Sequence, residues 1–149
     1  MLSIGIGCRR EVSTTEIEAA IRAALLALTA ALPAGSPAVS PADMRAILSP
    51  DVCIANVVAV IVTIDEKAHE PGLVAFCAEQ RISLRGLSRS VLAAMPGPTA
   101  ASTVVQHRFG LNGICESAAL CGAQVSTQVS TLLLPKTSLG GVSIAIASF

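Results

Sequence analysis

The sequence predicts an α/β fold: a three-layer α/β/α sandwich on a mostly parallel five-stranded sheet with a C-terminal antiparallel hairpin. Apolar, β-branched runs alternate with stretches of helical periodicity, which is the pattern of a parallel sheet covered by helices. Apolar residues make up 52% of the chain and charged residues 13%, which suits a sheet buried on both faces. At 149 residues the chain is predicted to form one domain, residues 1–149.

The first half of the chain contains two predicted strands and three predicted helices. Ser13 and Glu16 frame a capping box at the start of the first helix, which predicts where that helix begins. Pro41 and Pro71 each suit the first turn of a helix, because that position needs no N–H donor. The predicted elements cover about 2–7 (strand), 13–31 (helix), 40–48 (helix), 57–63 (strand) and 71–80 (helix).

The second half contains three predicted strands and three predicted helices. Gly122 is expected to end the last helix. Glycines are also expected to shape the first half, where Gly5 and Gly7 should allow a sharp turn after the first strand. Residues 136–141 are too few to cross over a sheet, so the last two strands should pair antiparallel. The predicted elements cover about 82–87 (strand), 88–94 (helix), 99–109 (helix), 112–122 (helix, capped by Asn112), 131–135 (strand) and 142–148 (strand).

Composition excludes several classes of protein. The net charge is +0, whereas a nucleic-acid binder needs a surplus of basic residues, so we expect no nucleic-acid partner. The apolar run 52–64 is too short to span a bilayer, and Glu18 and Arg22 give the first helix a polar side, so we expect no membrane association. The chain opens on a strand with no basic segment before it, which predicts a cytoplasmic protein without a signal peptide.

The five cysteines do not form a metal-binding or disulfide pattern. Their number is odd and no Cys-x-x-Cys occurs, so we expect neither a disulfide framework nor a metal site. The sequence contains no cofactor-binding motif either, so we expect no cofactor. Four of them lie in apolar stretches, where a thiol behaves as a small hydrophobic group. Cys8 precedes Arg9 and Arg10, surroundings that lower a thiol pKa; the alternative, which we favour, is an inert thiol packed under a turn.

The segment Gly5-Ile-Gly7-Cys8-Arg9-Arg10 predicts an anion site. It begins like a dinucleotide-binding fingerprint, but Arg10 occupies the place of the third glycine, so nicotinamide and flavin binding are rejected. Free amides at a helix start and two guanidinium groups can still bind a carboxylate or a phosphate. The alternative is that both arginines are simply solvated.

The segment Val62–Leu73 holds the densest cluster of reactive side chains, at a predicted strand-to-helix connection. Thr63 ends a buried run, Asp65 follows it, and Lys67 and Glu70 are three residues apart. Such a set could transfer protons or hold a polar ligand, and the alternative is a loop with ordinary surface charges. We favour a ligand contact through Lys67, with Asp65 and Glu70 orienting that lysine and capping the next helix.

Two further residues stand at positions that suit a ligand. Glu116 enters the first turn of an apolar, small-residue helix, where it could contact a ligand or cap its own helix. Lys136 follows the fourth predicted strand and precedes a glycine turn, where a lysine suits a phosphate or carboxylate; a plain hairpin tip is the alternative.

Together these motifs resemble a known family, the CobE and CbiG carboxy-terminal domain family of cobalamin (vitamin B12) biosynthesis. The resemblance covers nearly the whole chain, although Glu11 stands where the family often has glycine. The residues that carry it are Gly5-Ile-Gly-Cys-Arg-Arg10, Thr63-Ile-Asp-x-Lys67-x-x-Glu70-Pro-Gly-Leu73, Gly113-Ile-Cys-Glu116-Ser-Ala-Ala119, and Pro135-Lys136 followed by Gly-Gly-Val-x-Ile-Ala-Ile-Ala.

The resemblance implies a protein that handles a corrin-ring intermediate, a polycarboxylate macrocycle. The expected function is binding of a precorrin- or hydrogenobyrinate-type intermediate by a carrier or accessory protein that also meets neighbouring pathway enzymes. The alternative is a hydrolase, because CbiG-type proteins open a lactone ring and release acetaldehyde. In this chain Asp65 or Glu70 would then be the base, and Lys67 or Lys136 would stabilise the oxyanion. Since the other CbiG domains are not present here, the chain is more similar to a stand-alone CobE. Arg9, Arg10, Lys67 and Lys136, all expected on loops at strand ends, would meet the ligand carboxylates.

Overall fold

The computed structural model describes residues 1–33, 36–37, 39–49, 51, 53–94, 114–123 and 130–148. Two short 3-10 turns, Ile54–Asn56 and Asp65–Lys67, precede and follow the second strand. The helices and strands are, in chain order, β1 (Leu2–Cys8), α1 (Thr14–Ala31), α2 (Pro41–Leu48), β2 (Val58–Ile64), α3 (Pro71–Gln80), β3 (Ser83–Leu87), α4 (Arg89–Ala94), α5 (Ile114–Ala123), β4 (Thr131–Leu139) and β5 (Val142–Ser148).

The sheet has the strand order β3-β2-β1-β5-β4, with β1 in the centre. The strands β1, β2 and β3 are parallel, β5 pairs antiparallel with β1, and β4 pairs antiparallel with β5. The predicted α/β class, the parallel strands and the C-terminal antiparallel hairpin are therefore confirmed. Because β5 runs opposite to β1, its first residues lie beside the carboxyl end of β1.

Alternating residues of the central strands divide the interior into two different layers. One face carries large aliphatic side chains such as Ile4 and Ile146, which form a core with Ile21 of α1 and Phe76 of α3. The opposite face presents small residues to α5, whose Ala119 forms a second core with other small residues. Period-two alternation in β1 and β5 separates the two sets, so each layer has its own packing distance.

The small-residue face lets α5 approach the sheet unusually closely. A Cβ atom at Gly5 would lie 1.8 Å from the carbonyl oxygen of Cys115, and one at Gly122 would lie 2.1 Å from the Ser3 hydroxyl oxygen. The predicted turn at Gly5 and Gly7 is therefore wrong, because both lie within β1, whereas Gly122 is the second-last residue of α5, close to the predicted helix end. At Gly5 the cause is the α5 backbone, which leaves no room for a Cβ atom, and at Gly122 the cause is the Ser3 side chain of β1.

The helix starts follow the sequence signals. The Ser13 hydroxyl accepts a hydrogen bond from the Glu16 N–H at 3.2 Å, and Glu16 accepts one from the Ser13 N–H at 2.9 Å, so the capping box is confirmed. The Ser40 hydroxyl accepts from the Asp43 N–H at 3.0 Å, with Pro41 in the first turn of α2. These local bonds satisfy amides that have no partner within the helix.

The hairpin differs from the expectation in the length of its first strand. The strand β4 continues to Leu139 instead of ending at Pro135, and only Gly140 and Gly141 form the turn. Both glycines have positive φ values, 57° and 80°, which suit a two-residue hairpin turn. The predicted helix 99–109 and the predicted Asn112 cap lie outside the described residues.

None of the helices in the described parts of the chain combines the length and the apolar composition needed to cross a bilayer.

Replacing Gly5 with alanine is expected to destabilise the fold strongly. The new methyl group would meet the α5 backbone, which cannot move aside as a flexible side chain can, so the loss should be about 3 kcal/mol or more. Gly7→Ala is the matched control on the same face of β1, because its Cβ would lie 3.4 Å from the Cys115 sulfur, an ordinary contact. Urea unfolding of both variants measures the difference, and equal losses would contradict the close-packing explanation.

Candidate functional site

The carboxyl ends of the parallel strands and the start of α5 border a cavity, which we name the edge cavity. It lies where ligands bind in open α/β sheets, at the carboxyl ends of the strands. Its volume is about 220 Å³. Its walls are formed by Ile6, Gly7, Cys8, Ile64, Lys67, Ile114, Cys115, Lys136 and Ser143.

Both lysines of the chain line the edge cavity. The sequence contains only Lys67 and Lys136, and they come from different parts of the fold. The 3-10 turn after β2 positions Lys67, and β4 positions Lys136. Within the described parts of the chain, neither ammonium group forms an ion pair with a carboxylate. The cavity is therefore a site of concentrated positive charge in a chain of zero net charge.

A β-bulge places Lys136 at the cavity. The expectation that Lys136 lies on a loop is wrong, because it stands within β4, where the pairing register shifts between Leu134 and Thr137. Pro135 lies in this irregularity on an edge strand, where a residue without an N–H is tolerated. The Lys136 N–H instead donates a hydrogen bond of 2.8 Å to a carboxylate oxygen of Glu116. The bulge and this bond together set the position of Lys136.

Glu116 is buried and connects α5 to β4. Only 5% of its surface is exposed, and its Oε1 accepts the hydrogen bond from the Lys136 N–H. Its Oε2 is buried and has no hydrogen-bond partner among the described residues. Glu116 is not among the residues that line the edge cavity, and its observed contact positions Lys136.

The two arginines lie beside the cavity but do not line it. The guanidinium of Arg9 binds the carboxylate of Glu16, and its side chain packs over Gly141, where a Cβ would lie 2.7 Å from Arg9 Cδ. Arg10 is exposed and forms no ion pair with any described residue. The structure therefore brings together Lys67 and Lys136, with Arg10 as an outer cation on the loop after β1.

A hydrogen bond between Glu70 and Glu11 joins the loops that follow β1 and β2. The Glu11 N–H donates to Glu70 Oε1 at 2.7 Å. The Glu70 side chain makes no capping hydrogen bond at the start of α3, so the prediction that it caps this helix is wrong. Glu11 has a φ of 59°, in the left-handed region that favours glycine. This backbone conformation explains why glycine suits the position.

Thr63 and Asp65 make contacts within the sheet region. The buried Thr63 hydroxyl donates to the Ile6 carbonyl at 2.8 Å, which ties β2 to β1 just below the cavity. Asp65 is exposed and packs against Gly86 of β3, where a Cβ would lie 2.7 Å from its Oδ1. Neither side chain lines the edge cavity.

The cavity thiols are neutral at neutral pH. Burial raises the pKa of the Cys8 thiol, an effect that the Lys67 ammonium opposes and the Glu70 carboxylate reinforces. The possibility that the arginine pair lowers this pKa is wrong, because burial dominates and Arg9 is bound to Glu16. Burial, reinforced by Glu116, raises the pKa of Cys115 to about 11. Both groups are thus uncharged hydrogen-bond donors and not nucleophiles.

Sequence reasoning missed Cys115, Ser143 and the isoleucines of the cavity. Cys115 immediately precedes Glu116, but its place in an apolar helix favoured a core role. Ser143 interrupts the apolar β5 run, and its hydroxyl shares a hydrogen bond of 2.8 Å with that of Ser138. Alternation along β5 was the signal that could have placed Ser143 on the α5 face.

Other features of the described residues do not combine the predicted site residues. A cavity of about 190 Å³ lies between α1 and α2, with walls that include Leu25 and Ile47 and none of the predicted site residues. No cluster of three or more His, Cys, Asp or Glu side chains in the described ranges is arranged to hold a metal ion.

Comparison with protein families gives one match over nearly the whole chain. The family described as Cobalamin synthesis G C-terminus matches residues 2–147. The comparison with curated protein sequences finds no match.

Three solved structures share the fold. The cobalamin biosynthesis protein chiG from Agrobacterium tumefaciens str. C58 is 26% identical, with a TM-score of 0.65, over 99% of this chain and 98% of that chain. CobE, a protein from the cobalamin (vitamin B12) biosynthetic pathway, is 24% identical, with a TM-score of 0.64, over 100% of this chain and 90% of that chain. A cobalamin biosynthesis protein G homolog from Sulfolobus solfataricus is 20% identical, with a TM-score of 0.60, over 99% of this chain but 36% of that chain.

Replacing Glu116 with alanine is expected to destabilise the protein by about 1–3 kcal/mol, because the Lys136 N–H loses its acceptor. Glu116→Gln retains a carbonyl oxygen at the same place and should lose less than about 1 kcal/mol. Urea unfolding measures both losses, and hydrogen exchange of the Lys136 amide should accelerate only in Glu116→Ala. Equal exchange rates in the two variants would contradict the positioning role of Glu116.

The high pKa of Cys115 is expected to make stability fall at alkaline pH. An ordinary cysteine ionises near pH 9.0, whereas folded Cys115 keeps its proton to about pH 11. The unfolded chain therefore releases the proton first, so stability is complete below pH 9.0 and decreases as pH rises toward 11. The loss is about 1.4 kcal/mol for each pKa unit.

Urea unfolding of the natural chain and of Cys115→Ala across this pH range measures the effect. Above pH 9.0 the natural chain should lose free energy of unfolding faster than Cys115→Ala does, because only the natural chain has this thiol to ionise on unfolding. A constant difference would show that the Cys115 thiol ionises equally easily in both states.

Proposed function

Because this chain belongs to the Cobalamin synthesis G C-terminus family, we propose that it binds a corrin-ring intermediate of cobalamin biosynthesis as a carrier or accessory protein. The ligand would be a precorrin- or hydrogenobyrinate-type macrocycle with several free carboxylates. In this proposal the protein holds the intermediate at the edge cavity and passes it to neighbouring enzymes of the pathway. Five free thiols suit the reducing cytoplasm, where we place this function.

The observation that carries the proposal is the placement of both lysines in one cavity. Two ammonium groups without ion-pair partners among the described residues favour an anionic ligand over a neutral one. The isoleucine side chains that line the same cavity offer an apolar surface beside this charge. A macrocycle with carboxylate arms around an apolar ring presents the same combination of properties.

The positive charge extends beyond the cavity on the same edge of the sheet. Arg10 is exposed on the loop after β1 and is free to contact a second carboxylate. Arg9 would have to leave Glu16 to do so, which makes it a weaker candidate. We therefore propose Lys67 and Lys136 as the central ligand contacts, with Gly7, Cys8 and Cys115 forming the wall between them.

The alternative, hydrolysis of a lactone on the intermediate, has less support from the geometry. A base must reach the proton that it removes, but Asp65 and Glu70 do not line the edge cavity. Glu70 also accepts a hydrogen bond from the Glu11 N–H, which directs its carboxylate to the loop. We therefore favour a binding protein and retain the hydrolase as the second candidate.

Titration of the protein with a hydrogenobyrinate-type pigment is expected to change the pigment absorbance in a saturable way. Lys67→Ala and Lys136→Ala should each weaken binding about tenfold, because each removes one charged contact from the cavity. Arg45→Ala removes an exposed cation on α2 and serves as the control that should leave binding unchanged.

The mass of the recovered pigment distinguishes the two candidates. An unchanged mass is expected for a carrier, and loss of a two-carbon fragment from a lactone-bearing intermediate would support the hydrolase instead. Absence of any absorbance change up to high micromolar pigment would overturn the binding proposal.

A further inference from the structure

We infer that the edge cavity accepts one free carboxylate arm of the ligand, between Lys67 and Lys136, and discriminates against the corresponding amide. The inference rests on the proposed function and specifies which part of the ligand enters the cavity. It assigns the ring and the remaining arms to the surface outside. Three observations support it: the size of the cavity, its set of hydrogen-bonding groups, and the positions of the nearby carboxylates.

The cavity is too small for a macrocycle. Its volume of about 220 Å³ lies below the roughly 300–1,000 Å³ of pockets that enclose drug-sized ligands, and a corrin ring exceeds such ligands. A short alkyl stem that ends in a carboxylate fits this space. The apolar side chains of Ile6, Ile64 and Ile114 can contact the methylene groups of that stem, while the lysines contact its end.

The polar groups of the cavity are mainly donors. A lysine ammonium has three donors and no acceptor, and a carboxylate is an acceptor only, so the two are complementary. The thiols of Cys8 and Cys115 remain protonated because burial raises both pKa values. The Ser143 hydroxyl shares a hydrogen bond with that of Ser138, and the Ser143 carbonyl oxygen accepts one from the Cys115 thiol, so both groups of Ser143 already have a partner. An amide arm would bring an NH₂ group into a space with few acceptors.

The nearby carboxylates are held by backbone groups instead of by the lysines. Glu70 accepts from the Glu11 N–H and Glu116 accepts from the Lys136 N–H, at 2.7 Å and 2.8 Å. Neither forms an ion pair with a lysine among the described residues. Both ammonium groups thus remain available to a single carboxylate from the ligand, which would neutralise part of their repulsion.

This arrangement also specifies where the protein acts in a sequence of reactions. A reaction that converts the bound carboxylate into an amide would remove the charge that the two lysines bind. The intermediate would then leave the cavity more easily. The protein should therefore hold the ligand before amidation of that arm and release it afterwards.

NMR of the full-length protein labelled with ¹³C at lysine Cε tests the inference directly, because the chain has only two lysines. Lys67→Arg and Lys136→Arg assign the two signals without changing the charge. When sodium propionate is added at constant ionic strength, the chemical shifts of both signals are expected to change with the same saturable dependence on propionate concentration. Propionamide, the matched neutral probe, should bind at least about tenfold more weakly, because it lacks the charge-assisted contacts.

Each result of this experiment supports or overturns the inference. Shifts confined to one lysine, shifts that never saturate, or equal affinity for propionate and propionamide would overturn it. Saturable shifts of both lysine signals that are selective for propionate would support the inference, even if no pigment binding were found. If the pigment bound but propionate caused no such shifts, the proposed function would stand and the inference would be overturned. Lys67→Ala should weaken propionate binding about tenfold while the Lys136 signal still moves.

Discussion

The contact between the α5 backbone and the small-residue face of β1 is the constraint on which the rest of the site depends. Gly5 leaves room for the carbonyl of Cys115, and Gly122 of α5 leaves room for Ser3 on the opposite side of the same interface. A larger residue at Gly5 would move the helix away from the sheet. The start of α5 would then no longer bring Cys115 and Glu116 to the carboxyl edge of the strands.

From that position α5 organises the cavity through one buried carboxylate. Glu116 reaches the bulge of β4 and binds the Lys136 N–H, so an edge strand and a helix on the sheet face become joined. On the other side, the hydrogen bond from Glu11 to Glu70 ties the loops after β1 and β2, the second of which carries Lys67. Glu70, a candidate base, and Glu116 thus fix the backbone around Lys67 and Lys136, neither of which forms an ion pair with a described residue.

Much of the fold could be predicted because its signals are local. Capping boxes, helix-starting prolines and β-branched runs act over a few residues, and Ser13, Ser40 and Pro71 stand where the structure has them. The errors concern the glycines and Lys136. Gly5 and Gly7 suggested a turn, but both lie within β1, and the cause at Gly5 is the backbone of α5, a helix distant in the sequence. Pro135 suggested the end of a strand, whereas on an edge strand it is accommodated in a bulge.

The sequence by itself determined the class of fold, the starts of several helices, the family, and four cationic residues, Arg9, Arg10, Lys67 and Lys136, as candidate ligand contacts. These follow from local backbone preferences and from motifs that occur in order along the chain. Only the tertiary structure decided that Lys67 and Lys136 line one cavity, that Arg9 is bound to Glu16, and that Glu70 and Glu116 hold backbone amides. The physical reason is that these contacts join residues far apart in the chain, and their geometry depends on how closely α5 packs on the sheet.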